Sequence, residues 1–296
     1  MPRIAIESLD DPRVAAYLDL KTKRLVRDGN LFIAEGTKLV ERLLASDYHT
    51  ESVLIAERRE ADWAVKVPAD IPLYVIPQQL GEQLTGFNFH VGVLACGRRK
   101  PSPLLEDILA RTGDTGTRGA GDEELLRGGA DDCDTSRLTV VICPNCDNPE
   151  NLGAIIRIGA AFGIDALLLG RGCCDPFSRR VLRVSMGAAL RLPIIESPNL
   201  ERDVRRLRDE WHAELIATVL DGSAEPLANA AKPHRLGLLF GNEADGLDAH
   251  WQAMCDRRMT IPMHGGTDSL NVAIAAGIFL HHFKSSEVSR GPAGIV

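Results

Sequence analysis

From residue 138 onward, short apolar runs alternate with helix-patterned segments, and this alternation constrains the fold more than any other feature of the chain. Leu138–Cys143, Ala166–Leu169, Glu214–Val219 and Leu236–Phe240 predict strands, and Arg258–Pro262 an extended run. Asn151–Phe162, Phe177–Ala189 and Leu200–Trp211 predict helices, and Ser269–Phe283 an apolar final helix. Strands that are apolar throughout and separated by helices predict an α/β fold with a parallel sheet covered on both faces. Ligands of such sheets bind at the carboxyl ends of the strands.

The first hundred residues follow a looser pattern. Helical spacing over Asp11–Arg27 and Thr37–Ala45 and near Gln78–Leu84 is interleaved with β-rich runs at Leu31–Ala34, Val53–Ala56, Leu73–Ile76 and Val91–Ala95. This predicts a small α/β domain over residues 1–100. Residues 101–136 hold Pro101, Pro103, a short helix around Leu104–Leu109 and then a Gly-, Thr- and Asp-rich stretch from Ala110 to Ser136, read as a flexible joint. The third region, residues 137–296, carries the alternating pattern.

Charge sorts by region. Residues 1–100 hold fourteen basic and fourteen acidic side chains, and residues 137–296 hold seventeen and eighteen. The joint holds three and nine, so nearly all of the net charge of −7 lies there and does not argue against a polyanionic partner. No apolar run approaches the ~20 residues that span a bilayer, so no membrane association is expected. The first residues carry no apolar leader, and seven cysteines make no paired framework, so reduced thiols in the cytoplasm are expected.

Three loops at strand ends carry the polar chemistry. The first is Asn148-Pro-Glu-Asn-Leu-Gly-Ala-Ile-Ile-Arg157, after the Leu138–Cys143 strand. Asn151 is read as a helix cap, Gly153 permits close backbone approach, and Arg157 offers a fork for phosphate. On spacing alone, a capped helix with a surface arginine is an equal reading. The second loop runs from Phe240 through Gly241, Glu243 and Gly246, placing a carboxylate between two glycines. The third, Ile261-Pro-Met-His-Gly-Gly-Thr-Asp-Ser-Leu-Asn-Val272, leads into the last helix, where Ser269 and Asn271 can cap or face a site.

Taken together and in this order, the three loops resemble the motifs of the SpoU (TrmH-like) branch of the SPOUT RNA methyltransferases over roughly Arg137–Phe283. Asn151, Gly153 and Arg157 match the first motif, and Gly241, Glu243 and Gly246 the second. Ile261, Pro262, Met263, Ser269, Leu270 and Asn271 match the third. Asn242 and Ala244 depart from the residues frequent at those places. The N-terminal region is similar to the small ribosomal-protein-like RNA-binding domain that often accompanies this family, most clearly at Phe32-Ile-Ala-Glu-Gly36.

The resemblance implies a SPOUT domain whose C-terminal segment threads a deep trefoil knot, an exception to the rule against knots. It implies S-adenosylmethionine held by Gly241, Ile261 and Leu270, with Phe240 and Met263 beside them. It further implies methyl transfer to a ribose 2′-hydroxyl of structured RNA, ribosomal RNA ahead of transfer RNA, by a homodimer. Arg157, Glu243, Asn271, Ser269 and Asn151 are then the catalytic set. An arginine with pKa above ~12 is a poor base, so Arg157 is expected to clamp phosphate and stabilise the developing alkoxide.

Other features receive blander readings. Arg171, Arg179, Arg180, Arg183 and Arg191, and separately Lys21, Lys23, Arg24 and Arg27, are candidate phosphate-binding faces. With aromatics at 5%, recognition of RNA by shape and backbone is expected over base stacking. Cys143-Pro-Asn-Cys146 lacks a second CxxC, so no metal is expected, and His281 and His282 read as charges at a helix end. A dinucleotide-binding oxidoreductase is the rival class, though no Gly-x-Gly-x-x-Gly follows any strand, and a catalytically inactive RNA-binding homologue is a third, which intact Arg157, Glu243 and Asn271 argue against.

Overall fold

A computed structural model describes residues 3–18, 30–86, 89–111, 137–263 and 269–288. The basic cluster Lys21, Lys23, Arg24 and Arg27, most of the acidic joint, and residues 264–268 of the third loop lie outside them. The elements begin with β1 (Arg3–Ala5), β2 (Leu31–Glu35), α1 (Thr37–Leu44), β3 (Thr50–Ala56), α2 (Glu60–Trp63), β4 (Leu73–Ile76), α3 (Gln78–Thr85), β5 (Val93–Arg98) and α4 (Leu105–Arg111). They continue with β6 (Leu138–Cys143), α5 (Pro149–Phe162), β7 (Ala166–Leu169), α6 (Arg179–Val184), β8 (Ile194–Glu196), α7 (Leu200–Asp209) and β9 (Glu214–Thr218). The last are β10 (Glu225–Pro226), β11 (Arg235–Leu239), α8 (Ala249–Ala253), β12 (Arg257–Thr260) and α9 (Val272–Val288).

Two compact units emerge. The first comprises Met1–Pro101 with Leu152–Arg157 and Cys174–Arg191, and the second Ser102–Asn151, Ile158–Cys173 and Leu192–Val296.

In the first unit, a five-stranded mixed sheet runs β1-β4-β3-β5-β2, with β5 antiparallel to both of its neighbours. Val14, Tyr17, Leu54, Ile76, Phe89 and Leu94 fill one core cluster. Phe32 lies opposite Gly97 in the β2–β5 register, and a Cβ on Gly97 would fall 2.5 Å from the Phe32 ring. The same ring meets Tyr48 and Phe177 at centroid separations of 5.7 and 5.5 Å. Arg99 lies over Phe177 and pairs with Asp175 at 2.5 Å. A Cβ on Gly153 would fall 2.7 Å from Val184, so the close approach at Gly153 serves helix packing.

Two helices expected here are shorter than their patterns. In place of a helix over Asp11–Arg27, the described part holds a 3-10 turn, Pro12–Tyr17. Asp11 caps it, and Leu18 leaves in extended conformation. The Phe177–Ala189 pattern yields α6, then a break at Met186 and Gly187 with φ of 52° and 76°, then a 3-10 turn at Ala188–Leu190. Two successive left-handed residues end an α-helix, and only the glycine tolerates this without a Cβ penalty.

In the second unit all seven strands are parallel, in the order β10-β12-β9-β11-β6-β7-β8. Every residue of β6 and β7 is buried, as apolar strands covered on both faces must be. Leu200, Val204 and Leu207 of α7 pack on this sheet, and Asn199 caps the helix through the Arg202 N–H. The expected strands and helices of this half are present, Leu138–Cys143 and Ala166–Leu169 with the expected bounds and the others with a boundary moved by one to five residues. The short β8, β10 and α8 had no counterpart in the sequence pattern. Among the described residues no helix is long and apolar enough to cross a membrane.

Candidate active site

Because β12, β9, β11 and β6 are parallel neighbours, their carboxyl ends open on one edge of the second sheet. The loops leaving that edge hold the polar residues of the site.

After β6, the chain turns at Asn148. Its Oδ1 accepts the Glu150 N–H at 2.9 Å, and Pro149 takes the first helical position, which needs no N–H donor. The cap is therefore Asn148, which corrects the reading of Asn151 as the cap. Asn151 sits inside the first turn of α5, buried at 4% exposure, with its carboxamide free for other partners. Its Nδ2 donates to Glu243 Oε2 at 2.8 Å, and its Oδ1 accepts from Asn271 Nδ2 at 2.8 Å.

Asn271 does two tasks. Its Oδ1 accepts the Ala273 N–H at 3.0 Å, capping α9, while Nδ2 also lies 3.3 Å from Glu243 Oε1. Asn148 Nδ2 approaches Glu243 Oε2 at 3.4 Å. One carboxylate thus accepts from three asparagine amides, two of them capping helices α5 and α9. With its oxygens turned to amides, Glu243 is placed to organise the site.

Glu243 is carried by a tightly closed loop. Asn242 and Gly246 exchange two backbone hydrogen bonds of 3.0 Å, and Asn242 Oδ1 accepts the Ala244 N–H at 2.8 Å. A Cβ on Gly241 would fall 2.0 Å from the Gly246 carbonyl carbon, so glycine is required there for the loop to cross itself. Gly246 supplies a left-handed φ of 69°.

Beside this loop lies a cavity of about 550 Å³, within the ~300–1,000 Å³ usual for small-molecule sites. Phe240, Gly241, Ile261, Met263 and Leu270 all line it, as do Ser269 and Glu243. Phe240 meets Phe279 of α9 edge to face, with centroids 5.9 Å apart. Of the two candidate caps of α9, Asn271 fills the role and Ser269 stays exposed on the cavity wall.

Arg157 belongs to the first unit. It is exposed on α5, and its side chain makes no hydrogen bond or ion pair with the described residues. The arginine cluster around α6 is partly neutralised within that unit, since Arg179 and Arg183 each lie 3.6 Å from Glu35.

Sequence reasoning missed the Asn148 cap and the Thr218, Leu220, Asp221 and Arg258 part of the cavity wall. The polar turn after β9 was the available signal for the second group. Among the described residues the six cysteines are free thiols. Cys173 Sγ donates to the Cys143 carbonyl at 3.1 Å, and burial pushes its pKa up to about 11. Among the described residues no three metal-binding side chains gather. Helix α9 runs past His281 and His282 to Val288, which removes both from a helix end. His282 Nε2 instead meets the Ala230 carbonyl at 2.8 Å.

A model of the SpoU rRNA Methylase family matches residues 138–281. A tRNA/rRNA methyltransferase of Mycobacterium bovis is 33% identical over 291 residues, 96% of this chain and 92% of that protein. The 23S rRNA (guanosine(2553)-2′-O)-methyltransferase of Bacillus subtilis is 28% identical over 94% of this chain and 98% of that one. The crystal structure of an AdoMet-bound rRNA methyltransferase from Sinorhizobium meliloti superimposes with a TM-score of 0.72 at 26% identity, covering 95% and 97% of the two chains.

Proposed function

Since the chain belongs to the SpoU rRNA Methylase family, we propose that it is an S-adenosylmethionine-dependent methyltransferase acting on a ribose 2′-hydroxyl of structured RNA. Ribosomal RNA is favoured over transfer RNA, because relatives matched over nearly their whole length are named for ribosomal RNA. The observation that carries the reading is the cavity beside the Asn151–Glu243–Asn271 network, where residues of the second and third motifs meet.

The cavity fits the cofactor. Phe240, Ile261 and Leu270 offer an apolar slot for a flat ring, and the Glu243 and Asp245 carboxylates suit a ligand bearing positive charge. When bound, S-adenosylmethionine supplies a methyl group already activated on a sulfonium. Positioning and electrostatics then remain for the protein. Glu243, Asn151 and Asn271 hold the mouth of the cavity in shape. Arg157 is assigned to the acceptor RNA on its chemistry. Its planar guanidinium clamps a phosphate and offsets the charge growing on the 2′-oxygen, while the proton leaves to a phosphate oxygen or water.

Residues 1–100 are read as the RNA-binding domain, 101–136 as a linker and 137–296 as the methyltransferase domain with a threaded C-terminal segment. A homodimer in the cytoplasm is part of the same reading. Ile274 and Ile278, one turn apart on α9, are 56% and 38% exposed and offer an apolar stripe for a second copy.

The test is mass mapping of ribose methylation in ribosomal and transfer RNA from cells with and without the gene. One 2′-O-methyl mark on ribosomal RNA should vanish with the gene. An unchanged map of both RNAs overturns the reading.

A further inference from the structure

Two successive arginines of β12 hold different parts of the stretch from β9 to β10: Arg257 the strands themselves, Arg258 the turn between them. Side chains alternate along a strand, so Arg257 and Arg258 leave on opposite faces. Arg257 reaches Glu214 at 2.7 Å and Glu225 at 2.5 Å, on the two strands that flank β12. Arg258 reaches Asp221 at 2.5 Å, and only this second pair lines the cavity.

Asp221 is fixed on its other side. Its Oδ1 accepts the Ser223 N–H at 2.8 Å and the Ser223 hydroxyl at 2.7 Å. These bonds, and then Arg258, hold its pKa below the ordinary aspartate value. The Val219 N–H donates to the Met259 carbonyl at 2.9 Å, and Thr218 Oγ1 donates to the Leu239 carbonyl at 2.8 Å. The turn is therefore tied to both neighbouring strands. Between these ties sits Leu220, 61% exposed and on the cavity wall.

We propose that the Asp221–Arg258 pair, anchored by Ser223, is a clasp that holds Leu220 as the apolar wall of the cofactor cavity. Asp221 and Arg258 are then positioning residues for cofactor binding. An exposed ion pair adds little to global stability, and here it acts on the shape of one turn. The proposal rests on the cofactor reading above.

The test is calorimetric titration of the full chain with S-adenosylmethionine and with 5′-methylthioadenosine, which lacks the amino-acid arm. Arg258→Gln and Asp221→Asn should each weaken both ligands by about three- to tenfold. Arg258→Lys, which keeps a charge for Asp221 and leaves the Ser223 anchor in place, should retain most of the wild-type affinity. Leu220→Ala, which removes an exposed side chain and leaves folding intact, should weaken both ligands similarly. Combined with Arg258→Gln, it should add little.

Unchanged affinity in Arg258→Gln overturns the clasp, as does additivity with Leu220→Ala. A loss for S-adenosylmethionine alone also overturns it, because Arg258 would then touch the amino-acid arm. If the wild-type chain binds neither ligand, the cofactor reading fails instead.

Discussion

The two sheets of this molecule are built from similar apolar residues and differ in strand direction. In the second, seven parallel strands all end on one edge, so every loop leaving that edge joins a neighbour there. Asn148, Asp221, Gly241 and Ile261 follow four different strands and come together for this reason. In the first sheet, β5 runs against β2 and β3, and the strand ends divide between two edges. Its polar groups serve packing, as Glu35 does with Arg179 and Arg183. Parallel topology therefore concentrates chemistry, and mixed topology disperses it.

The largest effect expected from this contrast is at Arg157, the proposed exception, which lies in the first unit. Arg157→Lys keeps a charge and loses the planar fork. Methyl transfer should fall by orders of magnitude, roughly the 2.7–4 kcal/mol of one lost transition-state donor, while S-adenosylmethionine affinity is retained. Ribose methylation scored as nuclease-resistant dinucleotides, beside calorimetric cofactor binding, checks both halves. Full activity in the variant would reduce Arg157 to a surface residue and leave the chemistry wholly in the parallel sheet.

Glycine substitutions sharpen the comparison next. Gly241→Ala drives a methyl into the backbone of its own loop, and overpacking of this kind typically costs about 1–3 kcal/mol. Cofactor affinity should drop tenfold or more, while the chain stays folded by circular dichroism. Gly97→Ala in the mixed sheet meets the Phe32 ring and should lower the melting temperature by a few degrees, with cofactor affinity unchanged. If Gly97→Ala disturbs cofactor binding as much as Gly241→Ala does, the division between a chemical and a packing sheet is wrong.

The smallest effect concerns the thiols, present in both units. Burial pushes Cys96 and Cys255 up to about 12 and Cys173 to about 11, so little thiolate exists at pH 8. Peptide mapping after brief iodoacetamide treatment of the native protein should find all three largely unmodified. Rapid labelling of Cys173 alone would show that the β6 and β7 ends open in solution.

Much of this was legible in the sequence. Apolar strands such as Leu138–Cys143 cannot face water on either side, and their boundaries were read to the residue. Asn151, Glu243 and Asn271, one polar residue from each motif, meet at the same sheet edge, whereas Arg157 of the first motif lies in the first unit. What escaped was decided by competition between neighbours. Asn148 and Asn151 are both acceptable caps, and Pro149 settles the matter by taking the first helical position. The break at Met186–Gly187 is invisible to an apolar count, since Val184, Ala188 and Ala189 continue the pattern. Asp221 and Arg258 carry no motif, and their importance arises only from β12 lying beside β9.

The strand order has a further consequence, which concerns how the chain is made. Strand β6 leaves the ribosome early and finds β7 soon after, yet its other neighbour, β11, follows only after about ninety residues. At synthesis rates of ~5–20 residues per second, one edge of a wholly buried central strand waits roughly 5–20 s for its partner. An unpaired apolar edge is a template for aggregation. Soluble yield should therefore depend on chaperone capacity and on growth temperature during expression, even though the finished sheet covers that edge completely.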